Sequence, residues 1–115
     1  MPIRIIKDNI SITEILMLAK ERFGDMVKMV IDIASGNIAV GGDMHVDEEK
    51  MLLDDGSVQE NLWGINYYPE KPENERVEFD SMINIRPAQN NRSRNVENKD
   101  IREKIQSIVK NKIIL

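Results

Sequence analysis

The sequence predicts an α+β fold: a two-layer sandwich in which a mostly antiparallel sheet of about four to five strands carries two main helices on one face. Three observations predict it. Short runs of period-two apolar alternation recur along the chain. They are joined mainly by hairpin-length connections rather than by helical crossovers. Two longer segments, one near each end, carry apolar residues at helical spacing. The 115 residues are expected to form a single domain, 1–115.

The elements follow in order. Residues 4–7 (RIIK) read as a short strand, broken by Asp8-Asn9. Ser11-Ile12-Thr13-Glu14 has capping-box spacing, in which the serine accepts from the backbone and the glutamate reaches back. Ile12, Ile15, Leu16, Ala19 and Phe23 then recur at helical spacing. Gly24 stands where a left-handed terminal residue is wanted, so a helix is expected over 12–23. Residues 26–33 alternate, with Val27, Met29, Ile31 and Ile33 opposite Lys28 and Asp32. Ser35-Gly36-Asn37 turns the chain, and 37–42 returns as the second strand of a hairpin.

Residues 45–56 read as a short helix whose acidic first turn suits the positive end of the helix dipole and which stops at Gly56. The aromatic-rich run 62–69 is a strand stopped by Pro69, and 70–76 is a charged turn. Residues 77–86 are expected to form the next strand, with Val77, Phe79, Ile83 and Ile85 on one face and Asn84 and Arg86 on the other; Pro87 closes it. Residues 87–97 lack apolar periodicity and form a loop. A last helix covers 98–112, with Asn98 as N-cap and Ile101, Ile105, Ile108 and Val109 as its buried stripe.

Two stretches carry the resemblance of this chain to known sequences: GGDMHVDEEKMLLDDGSVQENLWGINYYPE (41–70) and EFDSMINIRPAQNNRSRNVENKDIREKI (78–105). Their Gly41-Gly42, His45, Asp47, Leu52-Leu53, Gly56-Ser57, Gln59, Trp63 to Asn66, Tyr68-Pro69, Asn84 to Pro87, Gln89 and Asn91 to Ser93 resemble a family of small prokaryotic proteins known only as a domain of unknown function. The resemblance implies no activity, cofactor or catalytic residue.

Composition bounds the function. The chain has no cysteine, which excludes disulfides and thiolate metal sites and fits a cytoplasmic setting. No run approaches the length of a membrane span. A net charge of -4 argues against general nucleic-acid binding, and Trp63 and Tyr67 are expected to face the core rather than bases. Gly41-Gly42 lacks both the Walker and the dinucleotide-binding spacing, so no cofactor is assigned.

Charge is unevenly spread. The stretch 43–60 holds seven acids and one lysine, whereas 83–95 holds three arginines and no acid. Arginine forks bind phosphate or carboxylate, and amide side chains add neutral donors. The leading expectation is therefore a binding or interaction module for an anionic small molecule, through Asn66, Asn84, Arg86, Arg92 and Arg94. The acidic stretch is the alternative partner for those arginines. A competing expectation is a small enzyme using His45, four residues from Glu49 on one helical face and near Asp47 or Glu48. Such a group could enlist a divalent ion; with one histidine and no cysteine, no metal site is assigned. Ser57, after Gly56, is the first hydroxyl following His45 in sequence. The sheet face away from the helices is expected to carry Lys28, Asp32, Asn66, Asp80, Asn84 and Arg86 among apolar residues, which suits a homodimer surface or the floor of a cleft.

Overall fold

The computed structural model describes residues 2–115. Its elements are β1 (Arg4–Ile6), β2 (Ile10–Ser11), α1 (Ile12–Arg22), β3 (Val27–Asp32), β4 (Ile38–Val40), α2 (His45–Asp54), β5 (Leu62–Tyr67), β6 (Val77–Glu78), α3 (Lys99–Lys112) and β7 (Ile113–Ile114). The fold is α+β. Five strands form an antiparallel sheet in the order β1-β4-β3-β5-β6, and β2 pairs with β7 in a small parallel ladder.

Local chemistry explains most boundaries. The Ser11 hydroxyl accepts from the Glu14 amide and starts α1. The Glu14 carboxylate does not close the expected box; it bonds Arg4 at 2.8 Å instead. Gly24, at φ +92°, donates to the Ala19 carbonyl and lets the chain leave the helix. Between β3 and β4 the Asp32 carboxylate accepts from the amides of Ala34 and Ser35, and its second oxygen accepts from the Ser57 hydroxyl at 2.7 Å. Ser57 thus belongs to the hairpin turn rather than to His45. The Asn98 side chain accepts from Asp100 and Ile101 and caps α3.

Both sheet faces are covered. Ile15, Leu18 and Ala19 of α1 and Ile105 and Val109 of α3 pack on Val27, Met29, Ile31, Val40, Trp63, Ile65 and Tyr67. The opposite face is not left bare but carries a helix. Leu52 of α2 closes over Val30, Ala39 and Leu62, with Ile3, Ile5 and Ile83 at the margins. Because β5 is buried on both faces, all six of its residues are buried.

The expected strand over 77–86 is the main correction. Only Val77 and Glu78 pair with β5, opposite Tyr67 and Asn66. The chain then bends at Asp80, and Ser81 opens a short 3-10 turn over 82–84 by accepting from the Ile83 amide. Serine and asparagine side chains offer the backbone local partners that compete with a ladder. Here they win, and Ile85 and Met82 end up exposed rather than on sheet faces.

Beyond β6 two side chains do what the strand would have done. The Asn84 amide accepts from Gly64 N at 2.8 Å and donates to Gly64 O at 3.0 Å. The Arg86 guanidinium donates to the carbonyls of Leu62 and Gln59 and lies 4.1 Å from the Trp63 ring centroid. The main-chain groups of β5 on this side are therefore satisfied by two side chains in line with a two-residue strand.

Candidate functional site

The amide-rich stretch consumes its own polarity. Asn91, 2% exposed, donates to the carbonyls of Asn84, Ser93 and Asn95 and accepts from the Glu97 amide. One Glu97 oxygen accepts from the amides of Arg92 and Ser93 and from the Ser93 hydroxyl. That hydroxyl and the Arg92 amide hold the Glu97 carboxyl below its ordinary pKa of 4.5. The loop's anion cradle is thus filled by a carboxylate of the same loop.

The five residues expected to bind a ligand do not share one surface. Asn84 is fully buried, with its amide spent on Gly64 and on the Arg94 carbonyl. Burial pulls Arg86 below its usual range, with the Glu49 charge acting against that, and its guanidinium is held by two carbonyls. Asn66 donates to Glu78 at 2.8 Å, leaving its buried oxygen without a partner. Arg94 pairs through Nε with Asp80 at 2.6 Å. Arg92 is exposed and makes no side-chain bond among the described residues. The acidic stretch meets these arginines only through the Gln59 carbonyl, which accepts from Arg86; among the described residues its acids pair elsewhere, Asp43 with Arg22, Asp54 with Lys50 and Asp55 with Lys7.

A different group of residues converges at the head of α2. The inward face of this helix is His45, Glu48, Glu49 and Leu52, three ionisable side chains and one apolar one. Asp47 points to solvent, so His45 and Glu49 share a face as their spacing requires but Asp47 does not join them. Glu48 is completely buried. One of its oxygens accepts from Gly42 N at 2.9 Å and the other has no partner. Burial raises its pKa well above 4.5, with the Gly42 amide bond acting against that. Gly42 admits it: a Cβ there would lie 2.9 Å from Glu48 Cγ.

His45 Nε2 lies 2.7 Å from the Ile65 carbonyl oxygen. A carbonyl only accepts, so Nε2 carries the hydrogen. Burial lowers the pKa of the ring to about 4 against the opposing carbonyl bond, with Lys28 and Arg94 also lowering it and Asp80 raising it. The imidazole is therefore neutral at pH 7, and Nδ1 holds a lone pair. Cδ2 packs toward Gly64, where an added Cβ would lie 3.1 Å from it and 2.6 Å from Ser81 Oγ. With the Nε2–Cδ2 edge against β5, the Nδ1 edge is the free one, and Nδ1 has no protein partner among the described residues.

His45 lines a pocket of about 160 Å³ together with Lys28, Asp43, Met44, Val46, Ser81, Met82, Ile83 and Arg94. Met44, the N-cap residue of α2, supplies no side-chain cap, and the amides of His45 and Val46 make no hydrogen bond among the described residues. Among the described residues Lys28 reaches only the Phe23 ring, 5.4 Å from its centroid. No cluster of three or more His, Cys, Asp or Glu among the described residues is placed to hold a metal ion. The sequence pattern marked His45 and Arg94. The same pattern offers Glu48 as a carboxylate near His45, but nothing in it joins Lys28 or Ser81 to them.

Fold and site together define a small α+β protein with a polar pocket at a helix N-terminus over the sheet's second face. The chain belongs to the family described as "Protein of unknown function (DUF5674)", whose model matches residues 4–112. No curated protein and no solved structure matches it. No helix among the described residues is long and apolar enough to cross a membrane.

Proposed function

We propose that the protein is a small binding module whose ligand is an anionic small molecule seated at the first turn of α2. One observation carries this reading: an uncapped helix N-terminus opens into a pocket between Lys28 and Arg94. Free N–H groups and the helix dipole favour negative charge there, and two cations reinforce them. The opposing charges are already engaged, Asp43 by Arg22 and Asp80 by Arg94. The site is thus moved from the amide-rich loop to the pocket that the loop's Arg94 helps to line. A cysteine-free chain suits the cytoplasm, and we carry that setting as part of the proposal.

Leu52 of α2 covers Val30, Ala39 and Leu62 on the sheet face where a homodimer surface was expected. For the competing enzyme expectation, the imidazole is seated on a carbonyl, Asp47 faces solvent, and Glu49 shares the inward face with His45 without a bond to it among the described residues.

Binding of acetate, malonate and phosphate, followed by amide chemical shifts, tests the reading. Lys28→Ala and Arg94→Ala are expected each to weaken binding about tenfold, the effect of losing one charge-assisted hydrogen bond. Arg92→Ala is expected to leave it unchanged. Loss of binding in Arg92→Ala alone would return the site to the loop.

A further inference from the structure

We infer that the anion taken at the head of α2 is a tetrahedral oxyanion that brings its own O–H, such as hydrogen phosphate, and that the pocket rejects its hydroxyl-free counterpart sulfate. The inference rests on the anion-site reading above and specifies what the site selects.

The pocket presents two kinds of partner. Lys28 Nζ, the terminal nitrogens of Arg94 and the amides of His45 and Val46 all donate. They attract any oxyanion and cannot tell one from another. His45 Nδ1 is different. The ring is 7% exposed and locked by its bond to the Ile65 carbonyl, so it cannot turn its N–H toward a ligand without giving that bond up. Its free nitrogen therefore accepts. An oxygen bearing no hydrogen, placed against that lone pair, is repelled; an O–H placed there donates.

The alternative is to protonate the imidazole. Lys28 on β3 and Arg94 on the 80–95 segment face it with like charge. Asp80 opposes them but is paired to Arg94, and Asp43 at the rim is paired to Arg22. A second proton on His45 therefore has little support in the empty pocket. At neutral pH phosphate retains one or two hydroxyls, while sulfate retains none.

The chain's single histidine makes the test direct. In uniformly ¹⁵N-labelled wild-type protein at pH 7, the Nδ1 resonance belongs to His45 without assignment ambiguity. Inorganic phosphate is expected to shift it as the lone pair accepts a hydrogen bond, and to bind at least tenfold more tightly than sulfate by calorimetry. Equal affinity for the two anions, or a phosphate complex in which Nδ1 does not move, would overturn the inference and leave the anion site standing. Failure of both anions to bind would overturn the site itself. In His45→Phe, a folded variant that takes both anions equally supports the inference, and one that still prefers phosphate refutes it. Lys28→Ala is expected to weaken both anions by the same factor and keep their ratio.

Discussion

The amide-rich segment 84–97 and the pocket at the head of α2 share Arg94 and adjoin at Ser81, yet they use polarity in opposite ways. In the segment, Asn84 and Asn91 spend their amides on the protein, and Glu97 supplies the anion for the loop's own amides. In the pocket, His45 Nδ1, the first α2 amides and the Lys28 ammonium lack partners of that kind among the described residues. A cluster of arginines and amides is thus no guide to a binding site until their partners are known. The more informative sign is a set of converging polar groups that the protein leaves unspent.

The sharpest way to break this contrast is Asn91→Ala. It leaves three carbonyls and one amide without their partner, and a loss of about 4 kcal/mol is expected in urea unfolding. A loss below about 1 kcal/mol would show that the segment is held by something else.

Next comes the acid limb of stability. The His45 pKa is about 4 in the fold against 6.5 when free, so its neutral packing contributes fully above pH 6.5 and is lost as pH falls through about 4. That gap corresponds to about 3 kcal/mol. His45→Gln should remove the corresponding slope between those pH values.

Glu48 acts with the opposite sign. Its raised pKa contributes stability below 4.5 that fades as pH rises toward the folded value. Glu48→Gln is therefore expected to be more stable than wild type at pH 8 and to converge with it near pH 4.5, read from urea midpoints. A constant difference across that range would mean that packing, not ionisation, sets the effect. At the small end, Arg92→Ala should change stability by less than about 0.5 kcal/mol, because its side chain is exposed and unbonded.

Much of the fold was legible in the pattern of the chain. The capping serine, Gly24, the 26–42 hairpin and the α3 stripe each carry a local signal that tertiary contacts reinforce. The two-residue strands β2 and β7 carry none, since a period cannot be read from two residues. The 77–86 stretch was legible in place but not in atoms: it does run along β5, with the Asn84 and Arg86 side chains standing in for backbone. The pocket was hidden for a related reason. It depends on what Gly64 lacks, since any side chain there would collide with Ser81 and His45, and on a bend at Asp80 that period-two apolar spacing concealed.

The substitution of side chains for a strand has a consequence for how the molecule behaves in a crowd. Unpaired main-chain groups along a sheet's margin invite strands from other copies, the usual start of aggregation and swapping. A strand laid along β5 would have passed that invitation outward to its own far side. Asn84 and Arg86 end it instead, because a side-chain amide and a guanidinium offer no repeating ladder for another chain to extend. The strand edge on this side, β6, is only two residues long, too short to template much pairing. Removing Asn84 would do more than loosen a turn: it would reopen an adhesive seam at Gly64.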